Sequence, residues 1–402
     1  MNEPFFSIII PVYNTEKYLP RCFDSFLAQS FDCKKIEMVV INDGSPNVAQ
    51  CDEIISSYKE KLNINYIRLE KNSGTHIARK HAVENAKGKY LLFIDPDDYL
   101  VNTALHILYN DIHINGNTDY IWFLFSILYE DGRRETMGCI KDIDTPSLLE
   151  DMLNFKVSHN VTNRCFNATF AKKAWSKMPC FYACYHEDYY EMLILHHYAK
   201  TKRIIRKPLY VYEQGLGITE ATKYTKEKLK KIILSIYNVN EYLTTFYKQE
   251  NCLSYLSLVQ KCSDRVYTDW MLNSSFKEFM GAIKEIMRDE VITEDVIASK
   301  YIARLNEEIA KYKRREKWLF PIIICCALIH RAPKRDKAKC PKSVLDATDK
   351  ILKDKTNKAE YLEYVYLLEG QFLFYKERAK CYDFVKRSLS PLWHFYKRLF
   401  KR

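Results

Sequence analysis

The stretch Tyr90-Leu91-Leu92-Phe93-Ile94-Asp95-Pro96-Asp97-Asp98-Tyr99-Leu100 decides how this chain folds. Its five leading apolar residues read as a strand buried on both faces, the pattern of a parallel sheet covered by helices on either side. Three acids within four positions follow directly. Carboxylates at the carboxyl end of such a strand stand where open α/β sheets bind their ligands. Taken alone, the same acids read equally well as a solvated turn that caps the next helix, because Pro and Asp are ordinary turn residues. The neighbouring segments separate the two readings.

Upstream, Phe5 to Pro11 reads as a first buried strand, and Leu19, Cys22, Phe23, Phe26 and Leu27 recur at the spacing of an amphipathic helix. Ile36 to Ile41 is a second buried strand, ending in Asn42-Asp43-Gly44-Ser45-Pro46. A helix over 52–61, a short strand over 65–69 and a helix over 75–87 lead into the Tyr90 strand, with Gly88 ending the last helix. This alternation with short connections predicts an α/β fold with a doubly wound, mostly parallel sheet. Pro11 to Asn14, Asn42 to Ser45, Asn72 to Gly74 and Asp95 to Asp98 each fall at a strand's carboxyl end, so the polar clusters converge on one edge. Downstream, a helix over 102–115 and an aromatic strand over 120–129 precede a less regular region. It contains Glu187-Asp188, an apolar helical stretch around Met192 to His196, a strand over 209–212 and the loop Gln214-Gly215-Leu216-Gly217.

From about residue 222 the pattern is helical. Leu229, Ile232, Ile236, Val239, Leu243 and Phe246 mark one apolar face. Three regions are therefore expected: a catalytic domain over 1–220, a helical domain over 221–310, and a basic, aromatic-rich tail over 311–402. The net charge of +11 belongs to that tail, where 24 Lys and Arg face 10 Asp and Glu, leaving 38 against 41 before it. The basic excess thus describes the tail's partner and not the core's chemistry. Trp318 to Ile329 is an apolar run with basic flanks, but twelve helical residues reach only about 18 Å, short of a roughly 30 Å hydrocarbon core. It suits contact with a membrane surface, as does the basic and aromatic ending Leu389 to Arg402.

The 10 Gly and 12 Pro exclude a collagen-like or low-complexity chain. The 13 Cys show no C-x-x-C pair, as in a cytosolic protein with reduced thiols. Met1-Asn2-Glu3-Pro4-Phe5 lacks the features of a secretory signal. A cytoplasmic location, peripheral at the inner face of the cell membrane, is the expectation.

An Asp-x-Asp-Asp edge suits Mn²⁺ or Mg²⁺, which takes one or two carboxylates plus phosphate oxygens and would neutralise a diphosphate leaving group. Asp43 is placed to accept a hydrogen bond from a base or ribose, and Arg79 to pair with a phosphate or a carboxylate. Glu187-Asp188 offers a separate carboxylate for general-base work. Each of these is more often structural when met singly.

Together, Phe6 to Asn14, Val40 to Ser45, Asn72-Ser73-Gly74 with Ala78-Arg79, and Phe93 to Leu100 resemble the ordered motifs of glycosyltransferase family 2, with the GT-A fold, of the bacterial surface-polysaccharide type. The resemblance implies an inverting transferase that moves a sugar from a nucleotide-sugar, usually a UDP-sugar, to a hydroxyl of a glycan or lipid-linked acceptor. By that resemblance Pro11, Tyr13, Asn14 and Asp43 hold the nucleoside, and Asn72 and Arg79 line its binding face. Asp95 contacts ribose or pyrophosphate, Asp97 ligates the metal, and Gln214 belongs to the loop over the diphosphate. Glu187 and Asp188 match the later Glu-Asp motif, with Asp188 as general base. Asp98 is then left to cap the following helix. Ala78-Arg79-Lys80-His81-Ala82 departs from the family's Ala-Arg-Asn-x-Gly, and Asn42 replaces an acid. A nucleotidyltransferase would want a glycine-rich loop after the first strand, which Pro11 to Asn14 does not supply. An inactive sugar-nucleotide-binding or membrane-scaffolding module is the alternative reading. Specific nucleic-acid binding is not expected.

Overall fold

The structure, a computed structural model, describes residues 3–138, 145–153, 157–215, 226–259 and 266. The chain divides into two compact units, Met1–Tyr267 and Thr268–Arg402. The second unit lies outside the described residues. So do the apolar run at Trp318, the basic tail with its expected membrane contact, and most of the helical region expected over 221–310.

The first unit opens with β1 (Phe6–Val12), α1 (Leu19–Leu27), β2 (Ile36–Asn42), α2 (Val48–Tyr58), β3 (Ile64–Arg68), α3 (Thr75–Asn85) and β4 (Tyr90–Phe93). The order matches the alternation read in the sequence, with boundaries shifted by a few residues. It continues with β5 (Tyr99–Leu100), α4 (Ala104–Asn115), β6 (Tyr120–Leu128), β7 (Arg134–Met137), α5 (Thr145–Leu153), β8 (Arg164–Asn167), α6 (Ala168–Trp175), α7 (Glu187–Tyr198), β9 (Lys202–Glu213) and α8 (Lys226–Gln249).

The sheet runs β3-β2-β1-β4-β8-β6-β9-β5, with β7 on β6. Strands β1 to β4 are mutually parallel, β8 joins antiparallel between β4 and β6, and β9 pairs parallel with β6. Strands β1, β2 and β4 are buried on both faces, which is why they read as largely apolar runs, while the edge strand β3 is part-buried. On one face Phe6, Ile8, Ile10 and Val12 pack with Phe23 and Phe26 of α1, Cys51 and Ile55 of α2, and Leu105 and Leu108 of α4. Helices α3, α6 and α7 pack together on the other, where the rings of Phe93 and Trp175 stack with centroids 5.9 Å apart.

Register explains where the site lies. Val12 pairs with Asn42, Asn42 with Arg68, and Ile9 with Phe93, so the four parallel strands end at one edge. The ladder runs one step further there: Asp43 N–H donates to Val12 O at 2.8 Å and Ile94 N–H to Ile9 O at 3.0 Å. The chain must leave the sheet immediately after, and its polar residues begin at that point.

The apolar face of α8 is buried as its spacing requires, with Ile236 and Leu243 fully covered. Two hydrogen bonds fix the helix to the segment before α7. Cys184 N–H donates to Ser235 Oγ at 3.1 Å, and Asn238 Nδ2 to Tyr182 O at 2.8 Å. Phe181 and Tyr242 stack at 4.1 Å.

Candidate active site

The loops at the carboxyl edge are joined by close backbone approaches that only glycine permits. Gly44 has φ +67°, and a Cβ there would lie 2.5 Å from Lys71 C. Gly74 has φ +94°, and its Cβ would lie 2.6 Å from Ala183 O. A side chain at either position would push the loops apart as well as strain the backbone.

Asp43 is the centre of this weld. It is 2% exposed. Its Oδ1 accepts from Ser73 N–H at 2.7 Å, and its Oδ2 accepts from Gly74 N–H at 2.8 Å and Asn72 Nδ2 at 3.1 Å. Burial pushes its carboxyl up to about 6, while the N–H donors of Ser73 and Gly74 and the charge of Lys231 pull it back. Asp43 therefore holds the Asn72–Gly74 turn in place. Tyr13, half-buried, and Asn14, exposed at φ +56°, line the same corner, and Asn14 N–H donates to Ser45 Oγ at 3.1 Å. Asn42, where an acid was expected, serves structurally: Oδ1 accepts from Ser45 N–H at 2.8 Å and Nδ2 donates to Tyr66 Oη at 3.0 Å.

The second centre is Arg79, on α3 and 2% exposed. Its Nη1 donates to Asp188 Oδ1 and, at 3.0 Å, to Glu191 Oε2, and lies 3.6 Å from Glu187 Oε1. Nη2 reaches Asp95 Oδ1 at 3.4 Å. Burial opposes the Arg79 charge, but Asp188, Glu191, Asp95 and Glu187 outweigh it and hold the cation firmly protonated. One cation cannot neutralise four ionised carboxylates in so dry a place. Burial and neighbouring acids accordingly push Glu187 and Glu191 each up to about 8, against the pull of Arg79. Asp95 rises to about 7 through enclosure, with Arg79 opposing and Asp97 and Asp188 adding to it; its side chain is still 37% accessible, so water softens that push.

Behind Arg79 lies a pair that the sequence reading did not single out. His76 Nε2 lies 3.0 Å from Pro179 O, and Nδ1 lies 3.0 Å from Glu191 Oε1, with both side chains fully buried. A carbonyl can only accept, so Nε2 carries the proton. Burial lowers His76 to about 4, so at neutral pH Nδ1 accepts and Glu191 donates its carboxyl proton. Glu191 was legible in principle: it stands one helical turn after Glu187, on the same face of α7.

Glu187 and Asp188 are the first residues of α7, entered through His186 in the left-handed region at φ +67°. That conformation is unfavourable for a non-glycine residue, and the His186 ring stacks on Tyr189 with centroids 4.5 Å apart. The turn places both acids at a helix N-terminus, where exposed N–H groups favour negative charge. Asp188 keeps 24% of its side chain accessible.

The Asp95–Asp98 turn is pinned from the far side by β9. Asp98 is 1% exposed, accepts from Tyr210 Oη, and accepts from Glu213 N–H at 2.9 Å. It does not cap α4, which begins at Ala104 after Thr103; its carboxylate is spent on β9 instead. Burial, with Asp95 and Asp97 adding to it, pushes its carboxyl well above the ordinary range. Arg21 of α1 donates to Asp97 O and pairs with Glu213. Asp97 and Asp95 remain at the lip, each part-exposed. Gln214 N–H donates to Leu128 O at 2.9 Å, and residues 216–219 of its loop lie outside the described residues.

Among the described residues no group of three or more His, Cys, Asp or Glu forms a ready metal cage. Two carboxylates at the lip of a negatively crowded cleft nevertheless fit a Mn²⁺ or Mg²⁺ that draws its other ligands from substrate phosphates and water. No helix among the described residues is long and apolar enough to cross a membrane.

A doubly wound α/β domain whose charged side chains gather at the carboxyl edge of its parallel strands has the architecture of a nucleotide-binding enzyme. Residues 7–177 match the sequence model of "Glycosyl transferase family 2", so this segment is that of a family 2 glycosyltransferase. It is 40% identical over 101 residues to the poly(ribitol-phosphate) beta-N-acetylglucosaminyltransferase TarS of Staphylococcus aureus, an alignment covering 25% of this chain and 17% of TarS. It is 24% identical over 316 residues to the minor teichoic acid biosynthesis protein GgaB of Bacillus subtilis, covering 74% of this chain and 34% of GgaB. The crystal structure of S. aureus TarS 1-349 in complex with UDP-GlcNAc aligns at 19% identity with a TM-score of 0.48, over 72% of this chain and 93% of that one. The chain thus matches about a third or less of the length of these two curated relatives.

Proposed function

We propose that this chain is an inverting glycosyltransferase that moves a sugar from a UDP-sugar to a hydroxyl of a glycan or lipid-linked acceptor in the synthesis of a cell-surface glycopolymer. The observation that carries this reading is the convergence on Arg79 of Asp95 from the β4 edge and Glu187-Asp188 from the start of α7. Residues some ninety positions apart in sequence share one cation. The similarity to TarS and GgaB supports a teichoic-acid-like polymer as the acceptor class.

In this reading Tyr13, Asp43 and Asn72 hold the nucleoside end. Asp97, with Asp95 beside it, would hold Mn²⁺ or Mg²⁺, whose charge would offset that of the departing diphosphate. Asp188 takes the proton from the acceptor hydroxyl as its oxygen bonds to the anomeric carbon, while the bond from that carbon to the diphosphate oxygen breaks and UDP leaves. Arg79 is a positioning residue: it orients Asp188 and ties it to the donor side through Asp95. Behind Arg79, Glu191, His76 and Trp175 form a buried wall. The membrane-surface role belongs to residues 311–402 and is proposed from their composition alone.

Asp97→Ala and Asp188→Ala are each expected to abolish transfer from a UDP-sugar in the presence of Mn²⁺ while the protein stays folded by circular dichroism. Turnover at the wild-type rate by either variant overturns its assigned role.

A further inference from the structure

Helix α8 begins well after residue 177, where the family match ends. Its Lys231 nevertheless lies at the nucleoside corner, with Nζ 5.7 Å from the centroid of the Tyr13 ring. The placement follows from a closed ring of contacts. Asp43 binds Gly74 N–H, Gly74 abuts Ala183, and Cys184 N–H donates to Ser235 Oγ. Ser235 Oγ in turn donates to Lys231 O at 2.8 Å, one turn back along α8. Ser235 is fully buried, so the backbone at Lys231 is fixed, while the Lys231 side chain itself is exposed. A solvated lysine on a fixed helix, facing an aromatic ring and close enough to Asp43 to act on its charge, has the makings of a ligand contact.

We propose that α8 forms one wall of the donor site and that Lys231 binds the nucleoside end of a nucleoside diphosphate, between Tyr13 and Asp43. This rests on the donor reading given above and extends the active site beyond the family segment into the helical region. An ammonium only donates hydrogen bonds, so its partners on the ligand are acceptors: the carbonyl edge of a pyrimidine base or the ribose oxygens. The exposed Lys231 charge also favours an anionic ligand over a neutral one before any close contact forms.

The test uses the full chain and calorimetric titration with UDP and with UMP, in Mn²⁺. Lys231→Ala should weaken UDP about fivefold and Lys231→Glu about tenfold, with Lys231→Arg close to the wild type. UMP should lose the same factor, because the lost contact lies at the nucleoside. Donor KM should rise while kcat changes less than twofold, and the thermal midpoint should not move, since the side chain is exposed. UDP affinity of Lys231→Glu within twofold of the wild type overturns the proposal and leaves the donor reading standing. A loss seen with UDP and absent with UMP overturns the assignment to the nucleoside end. A wild-type chain that binds neither nucleotide overturns the donor reading and this proposal together.

Discussion

The two centres of the cleft solve opposite problems with similar atoms. At the nucleoside corner one buried carboxylate, Asp43, is surrounded by three N–H donors, two of them from the backbone. At the Arg79 centre one buried cation is surrounded by four carboxyl groups. The first is a satisfied acid that welds loops, and its neighbours gain nothing by moving. The second is over-supplied with acid, and it can be stable only because protons make up the deficit. Rigidity is therefore expected where the nucleoside binds, and responsiveness to charge where phosphates, metal and acceptor meet.

Removing Arg79 should break this contrast most severely. Arg79→Met leaves the buried Glu191 and Glu187 facing the part-exposed Asp188 and Asp95 without a cation between them. Stripping one partner from a buried charge cluster costs about 3–5 kcal/mol. Chemical denaturation should show a loss of that size at pH 7, and a smaller one at pH 5, where protons replace the missing cation. A loss independent of pH would mean that Arg79 is held by packing alone.

The Asp43 corner should respond less. Asp43→Asn keeps the shape but replaces one acceptor oxygen by a donor, so at least one of the three N–H partners loses its acceptor. The expected cost is about 1–3 kcal/mol. UDP affinity should fall with it, because the Asn72–Gly74 turn is no longer fixed. Unchanged denaturation would show that the turn is held by the glycine contacts alone.

How much of this was legible in the chain depends on where the partners lie. Strands β1, β2 and β4 are short buried runs, β3 is a short part-buried one, and helices separate them, so their order and the shared edge followed from local pattern. Strand β8 did not. Arg164-Cys165-Phe166-Asn167 carries no alternation, and it is a strand because β4 and β6 leave a gap that it fills. Strand β9 was read only over 209–212 because Lys202, Arg203, Arg206 and Lys207 mask its first half. Within the site the pattern repeats. Asp95, Asp97 and Glu187-Asp188 announce themselves as adjacent acids. Glu191 sits among Met192, Leu193 and Ile194 and reads as part of a core helix, and nothing local says that His76 waits opposite. Asp98 looked like a helix cap because its true partners, Tyr210 and Glu213, are more than a hundred residues away.

The finest test of the contrast is the proton on Glu191. Its folded-state carboxyl lies at about 8, above the ordinary value of 4.5, so the folded chain holds a proton there that the unfolded chain releases. The stability this contributes is present at low pH and is lost as pH rises from about 4.5 through 8. His76 has the opposite sign: lowered to about 4, it makes the fold more stable as pH rises from 4 toward 6.5. Below pH 6.5 the two effects oppose each other, and above it only the Glu191 loss continues. Glu191→Gln presents the same pattern permanently, with a carbonyl oxygen for Arg79 and an N–H for His76 Nδ1. The wild-type chain should therefore lose about 2 kcal/mol more than Glu191→Gln between pH 6.5 and 8, roughly 3–6 °C in the thermal midpoint. Parallel curves across that window would place the proton elsewhere, with Glu191 ionised and His76 carrying the charge.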